Sequence, residues 1–305
     1  MTSVSRLPTR VSRLPTRVMR LASRVMRLAS RVRRLATSHS ALANNLGLQL
    51  PMLNPAPDVT GNATPSLPSD VMPISETFTS VQGEGKRAGV PSWFIRFSGC
   101  NLRCRWCDTP YASWSPDGTR RSMASLLEEA AKVREAKISD VVVTGGEPMM
   151  FAQLSPLTVA LRSLKFHITI ETAGTLHQPV ACDLMSISPK LASSTPTNDA
   201  RDPDGVWAAR HEQRRMNLPV LQQLVCSHMQ RQLKFVACTP DDLTEIEQLL
   251  GQLTGVKQED VLLMPEGVTP PTAAHKQWVT DACMRRGWRY CPRLHIELFG
   301  NVRGT

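Results

Sequence analysis

The 305-residue chain has no run of about 18 apolar residues, the length a helix needs to cross a bilayer, so a membrane-spanning helix is excluded. It also lacks a disulfide framework. Of its eight cysteines, five (Cys182, Cys226, Cys238, Cys283, Cys291) are scattered without regular spacing, which reads as free thiols in a reducing compartment and a cytoplasmic location. The first 57 residues contain no Lys, Asp or Glu, yet hold ten arginines. Subtracting those ten from the 36 basic residues leaves 26, against 26 acidic ones, so the net charge of +10 lies wholly in this leader. A basic groove across the rest of the chain, as nucleic-acid binding requires, is therefore not supported.

The leader repeats with period seven over residues 4–38: VSRLPTR, VSRLPTR, VMRLASR, VMRLASR, VRRLATS. Three readings stay open. It has the Arg- and Ser-rich, acid-free composition of an organellar targeting segment. Its Val and Leu, three apart, would give a basic amphipathic helix for an anionic membrane. Or it is a repeat expansion without a packed partner, since Pro8 and Pro15 interrupt the first two units. Residues 39–72, rich in Pro, Asn and Ser, read as a linker. The expected organisation is leader 1–38, linker 39–72 and one catalytic domain, 73–305.

From residue 93 short apolar runs alternate with longer amphipathic ones. Strands are expected at 93–97, 140–144, 167–172, 183–190, 231–237, 261–265 and 293–298, and helices at 122–136, 150–164, 241–253 and 273–286. Residues 195–230 break the rhythm and read as an insertion or long loop with some helical character. The alternation predicts an α/β fold: parallel strands with outer helices, forming a partial (β/α) barrel. In such folds sites lie at the carboxyl ends of strands, where the chain places its cysteine loop and its GGEP, ETAGT, SPK and MPEG segments.

Cys100, Cys104 and Cys107 in FSGCNLRCRWCDT (residues 97–109) have the spacing C-x3-C-x2-C and no adjacent fourth ligand. Zinc wants four, and the nearest following histidine is His167. A chance trio of buried thiols does not suit a segment carrying Asn101, Arg103, Arg105 and Asp108. An iron–sulfur cubane suits it better: thiolates are its ligands, and three of them leave one iron open.

The trio after one strand and GGEP after the next resemble the radical S-adenosylmethionine superfamily. That resemblance implies a [4Fe–4S] cluster on Cys100, Cys104 and Cys107, and adenosylmethionine chelated to the open iron. It also implies a 5′-deoxyadenosyl radical that takes a hydrogen atom from substrate. Gly145, Gly146 and Glu147 are expected to meet the methionine amino group. Residues 76–114, from ETFTSVQGEG to CDTPYASW, are similar to the 7-carboxy-7-deazaguanine synthase family, and the similarity resumes at VVVTGGEPMM, ITIETAGT, SISPKLASSTP, QLKFV and MPEG.

That family resemblance implies a lyase of queuosine and deazapurine biosynthesis, turning 6-carboxy-5,6,7,8-tetrahydropterin into 7-carboxy-7-deazaguanine with loss of ammonia. It further implies Mg²⁺, a reductant such as flavodoxin or ferredoxin, and a homodimer. By matching position, Gln82, Gly83, Glu84, Arg96, Gly145 and His295 are expected at the pterin. Thr109 is expected at Mg²⁺, and Glu171, Thr172, Ser188 and Lys190 at the cofactor. Ala173 departs from the family, which usually has Asn there. Two rivals are a glycyl-radical-activating enzyme, which would not need QGEG or Arg96, and a non-catalytic iron–sulfur protein, which has no use for an open iron. RNA binding through the leader would leave the motifs of the body unexplained. Deleting residues 1–60 is expected to leave pterin turnover unchanged, and a purified truncation with reduced turnover would show that the leader takes part.

Overall fold

The computed structural model describes residues 70–305. The leader and all but the end of the expected linker lie outside the described residues. Strand β1 (Val71–Val81) already takes in Val71 and the fully buried Met72, so the folded body begins slightly before residue 73.

One nine-stranded sheet runs in the order β3-β1-β2-β4-β5-β6-β7-β8-β9. β1 pairs antiparallel with β2 (Pro91–Phe97) and with β3 (Thr119–Ser122). From β2 onward every pairing is parallel, through β4 (Asp140–Gly145), β5 (His167–Thr172), β6 (Leu184–Ile187), β7 (Arg231–Ala237), β8 (Val261–Pro265) and the two-residue β9 (Arg289–Tyr290). The sheet is not closed; it is an α/β partial barrel, as expected. Between the parallel strands lie the helices that such crossovers need: α1 (Met123–Glu135), α2 (Leu154–Ser163), α3 (Val206–Arg215), α4 (Leu218–Ser227), α5 (Asp242–Gln252) and α6 (Ala273–Arg286), with α7 (Leu294–Phe299) after β9. No helix among the described residues is long and apolar enough to cross a membrane.

Side chains on each strand alternate between two environments, as the two-residue period requires. Trp93, Ile95 and Phe97 of β2, Val141 and Val143 of β4, Ile168 and Ile170 of β5, and Leu233 and Phe235 of β7 belong to one large apolar core. On the other face, toward the carboxyl ends of these strands, Arg96, Thr144, Glu171 and Lys234 line a common cavity. The runs that look uniformly apolar in the sequence thus carry polar groups on their inner face.

Four expectations need correction. Residues 293–298 are not a strand: α7 occupies Leu294–Phe299, and the last strand is the shorter β9. Within RLHIEL only Ile296 is buried, and so short an apolar run does not separate a helix from a strand. The second half of 195–230 is no insertion. α4 is the crossover helix between β6 and β7, burying Leu221, Leu224 and Val225, with Asn217 capping it through the Val220 amide. The helix expected from residue 150 starts at Leu154, which puts Pro156 in the first turn, where its missing N–H costs nothing. β6 stops at Ile187 rather than residue 190, close before Pro189, which cannot donate to a ladder.

β1 and β3 were not foreseen. In β1 a bulge between Ile74 and Glu76 breaks the alternation that would have marked a strand. Phe97, fully buried at the end of β2, has its ring 5.2 Å from that of Phe151. Phe97→Ala is expected to cost about 3–5 kcal/mol in urea denaturation.

Candidate active site

At the carboxyl ends of the parallel strands a cavity of about 210 Å³ opens. All the residues singled out in the sequence line it except Glu147. The cysteine loop leaves β2 and carries Cys100, Cys104 and Cys107 into the cavity wall, all three free. The Leu102 amide donates to Cys100 Sγ at 3.4 Å, and Cys107 Sγ lies 3.1 Å from Ser113 Oγ. Burial, with a lesser push from the charge of Glu147, raises the Cys100 thiol to about 12, and burial raises Cys104 as well. Burial thus disfavours their thiolates, and a positively charged group bound beside them would favour ionisation.

The Gly145–Gly146 turn holds this loop. Gly146 N donates to Phe97 O at 3.1 Å and Glu147 N to Gly99 O at 2.9 Å. A Cβ on Gly146 would lie 2.2 Å from Gly99 O and 2.6 Å from Ala112 O, so no larger residue fits. Glu147 itself is fully buried behind the turn. Its carboxylate accepts from Thr172 Oγ1 (2.9 Å), Ala173 N (2.8 Å) and Met149 N (3.0 Å), tying the end of β4 to the end of β5. Ala173 packs with Leu102 and Cys104, so the departure at that position adds an apolar contact beneath the loop. After β6, Ser188 N donates to Thr172 O at 2.8 Å, and Lys190 Nζ reaches Ser188 Oγ at 2.7 Å.

A charged cluster faces these loops. Glu84 bridges Lys234 of β7 and Arg293, whose Nε is 3.2 Å from Glu84 Oε1, and Arg293 also pairs with Asp108. Burial alone would raise the Glu84 pKa, but Lys234 and Arg293 outweigh it and hold the carboxyl well below the usual range. Gln82 Nε2 donates to Glu171 Oε1 at 3.1 Å, and Thr144 Oγ1 to Glu171 Oε2 at 2.9 Å. Gly83 has no room for a side chain, because a Cβ there would lie 1.9 Å from His295 Nδ1. Arg96 gives its Nε to Glu76 at 2.7 Å, and Tyr111 OH donates to the same oxygen at 2.9 Å. Thr109 Oγ1 lies 3.8 Å from Cys107 Sγ.

Residues 94–189 match the model of the radical SAM superfamily. A protein of Rhodopirellula baltica named 7-carboxy-7-deazaguanine synthase is 46% identical over 233 residues, covering 76% of this chain and 88% of that protein. One of the same name from Halobacterium salinarum is 45% identical over 242 residues, covering 77% and 93%. The crystal structure of QueE from Escherichia coli superposes with a TM-score of 0.55 at 26% identity, over 74% of this chain and 95% of that one.

The chain belongs to the 7-carboxy-7-deazaguanine synthase family. It is a radical SAM enzyme, and membership implies a [4Fe–4S] cluster and S-adenosylmethionine. The residues present fit that family's cluster. Three free cysteines share one cavity wall, and burial disfavours the thiolates of two of them until a cationic group arrives. Among the described residues no three of His, Cys, Asp and Glu converge as for a single ion. A cubane makes no such demand, since each thiolate takes its own iron.

Several residues that line the cavity were not singled out in the sequence. Lys234, Arg293, Asp108 and Tyr111 line the cavity, as do residues 301, 302, 304 and 305, held close by Arg303, which pairs with Asp117 at 2.7 Å and stacks on Tyr111. Lys234 had a signal: a lysine inside the apolar run RQLKFVA marks an inward-facing charge in need of a partner. Arg293 had none, because its partners Glu84 and Asp108 are about 200 residues away in sequence.

Glu84, with its folded pKa below the unfolded value of about 4.3, adds stability above that pH and loses it as pH falls toward the depressed value. Lys234→Met brings the folded pKa back toward the unfolded value, so the Glu84 contribution at neutral pH is lost and stability is expected to fall less steeply as pH drops through the carboxylate range. At neutral pH the cost is about 3 kcal/mol, the low end for a broken buried pair because Arg293 still faces Glu84. Circular dichroism against pH measures both.

Proposed function

We propose that the chain converts 6-carboxy-5,6,7,8-tetrahydropterin to 7-carboxy-7-deazaguanine with loss of ammonia, in the cytoplasm and with Mg²⁺. The observation that carries this reading is the meeting, in one cavity, of the three-cysteine loop with the charged groups of Glu84 and Arg96. The names of the relatives support it. A cavity lined by Gln82, Glu84, Arg96 and His295 suits a small polar molecule better than the protein backbone that a glycyl-radical activator would admit.

Cys100, Cys104 and Cys107 would hold the cluster. When bound there, cluster and adenosylmethionine would supply the radical chemistry that the reaction needs. Gly145 and Gly146 give the methionine end of the cofactor close access to the backbone. Glu147 acts with them by fixing their turn, its carboxylate being already occupied. Glu171, Thr172, Ser188 and Lys190 form the wall beyond.

Glu84, kept anionic by its cations, accepts hydrogen bonds from the N–H edge of the pterin, with Gln82 beside it. Arg96 is oriented by Glu76 through Nε, which leaves its terminal nitrogens for the substrate carboxylate. His295, packed on Gly83, adds a neutral contact, since burial lowers its pKa. Thr109 offers Mg²⁺ one oxygen, which suits an ion that keeps several waters and borrows from its substrate. The electron comes from a reductant such as flavodoxin or ferredoxin, and the working form is a homodimer.

Anaerobic reconstitution followed by incubation with the pterin, S-adenosylmethionine, a reductant and Mg²⁺ is expected to yield 7-carboxy-7-deazaguanine and ammonia. Methionine and 5′-deoxyadenosine without that product would sink the substrate assignment. Cys104→Ala is expected to abolish cluster absorbance.

A further inference from the structure

Between Cys100 and Cys104 the Arg103 amide donates to Nδ1 of His211, on α3, at 3.2 Å. His211 is fully buried, and its Nε2 lies 2.9 Å from Ser194 Oγ. Because Nδ1 accepts, the ring hydrogen sits on Nε2 and points at Ser194. Ser194 Oγ–H in turn donates to Leu191 O at 2.6 Å. Ser194 O also accepts from the Arg105 amide at 2.9 Å. The Leu102–Arg103 and Cys104–Arg105 peptides are therefore held by one Ser194–His211 unit. The same helix adds a second brace: the Arg103 guanidinium lies 3.9 Å over the Trp207 ring while donating to Cys100 O and Leu102 O. Burial pushes the His211 pKa down to about 4, in keeping with a neutral bridging imidazole.

We propose that His211, as the Nε2–H tautomer, is a positioning residue for the cluster loop. It fixes the Leu102–Arg103 peptide, one before Cys104, and joins that loop to the Leu191–Ser194 turn, which follows directly on Lys190. The three cysteines and the Ser188–Lys190 wall then keep one spacing, so the cluster and the adenosylmethionine cleft stay in register. This rests on the reading of Cys100, Cys104 and Cys107 as cluster ligands. Groups that orient ligands without touching the metal commonly control its retention and electronic properties. α3 is thus the clamp of this loop rather than a surface elaboration.

The test uses the full chain, reconstituted anaerobically with iron and sulfide, and three variants. His211→Phe fills the space but bridges nothing. His211→Asn places an acceptor where Nδ1 sits, and His211→Gln places an amide where Nε2 sits. Two readouts are needed: the rate at which a ferrous chelator strips iron, and the EPR spectrum of the reduced cluster with and without S-adenosylmethionine.

His211→Phe is expected to lose iron about tenfold faster or more, and to show a weakened spectral response to S-adenosylmethionine. His211→Asn is expected to recover retention, because it restores the Arg103 bond, and His211→Gln only in part. Wild-type retention with an unchanged spectrum in His211→Phe would overturn the proposal. So would equal losses in the Phe and Asn variants, which a mere packing role produces. If His211→Phe does not fold, Ser194→Ala carries the test. It severs the link to Leu191 while leaving the Arg103 bond, and faster iron loss supports the proposal while unchanged loss overturns it. A wild-type chain that assembles no cluster, or a Cys104→Ala chain that keeps one, would overturn the cysteine reading and this one together. Normal behaviour of both with an unaffected His211→Phe would overturn only the role of His211.

Discussion

Where β2 and β4 end side by side, two glycines let one backbone lie directly on another. Phe97 pairs with Gly145 in the parallel ladder, and the bonds from Gly146 and Glu147 continue that pairing past the strands into the cysteine loop. The loop is thereby an extension of the sheet, and its cysteines inherit the sheet's rigidity. A side chain at Gly146 would push the two backbones apart. The Glu147 carboxylate, buried behind the turn, locks the same corner to the end of β5. The positions of the other cavity walls follow from this corner, because each next strand is hydrogen-bonded in register to the last.

Opposite the loop, the inner face must hold charges away from water. It does so largely by pairing charges, Glu84 with Lys234 and Arg293, Arg293 with Asp108 and Arg96 with Glu76, while Glu171 and Lys190 are held by neutral hydrogen-bond partners. Such pairs gain little net stability over apolar packing, since desolvating the ions offsets much of their attraction. What they provide is a fixed array of donors and acceptors, with Glu84 kept anionic for a substrate that presents N–H groups. The same arrangement explains why a barrel with ample apolar core on its outer face carries so polar a lining within.

The strands at 167–172, 231–237 and 261–265 and the helix at 273–286 were legible to the residue, because the strands are short apolar runs with sharp polar boundaries and the helix lies between the capping residues Thr272 and Gly287. β1 was not, since its bulge interrupts the alternation, and RLHIEL was misread because six residues satisfy both periods. α4 looked like part of an insertion only because α3 precedes it without an intervening strand. In the site, the cysteines, the glycine turn and QGEG stood out by spacing. Lys234 was signalled only by its place inside an apolar run, and Arg293, Tyr111 and His211 did not stand out, for each has an ordinary local sequence and acquires its role from a partner 35 to 209 residues away.

By itself the sequence determined the chemistry on offer: three thiols with a vacancy, a glycine pair, a short motif of amide and carboxylate, and the alternation that builds parallel strands. Those are local properties, fixed by residue type and spacing. Only the tertiary structure decided which charges meet and which carboxylates are already occupied. It alone showed that Glu147 faces away from the cavity, that Lys234 faces into it, and that α3 reaches back over the cysteine loop. The reason is physical. Pairing a buried ion or holding a loop peptide depends on distances between segments 20 to 209 residues apart, and no local pattern in the chain encodes them.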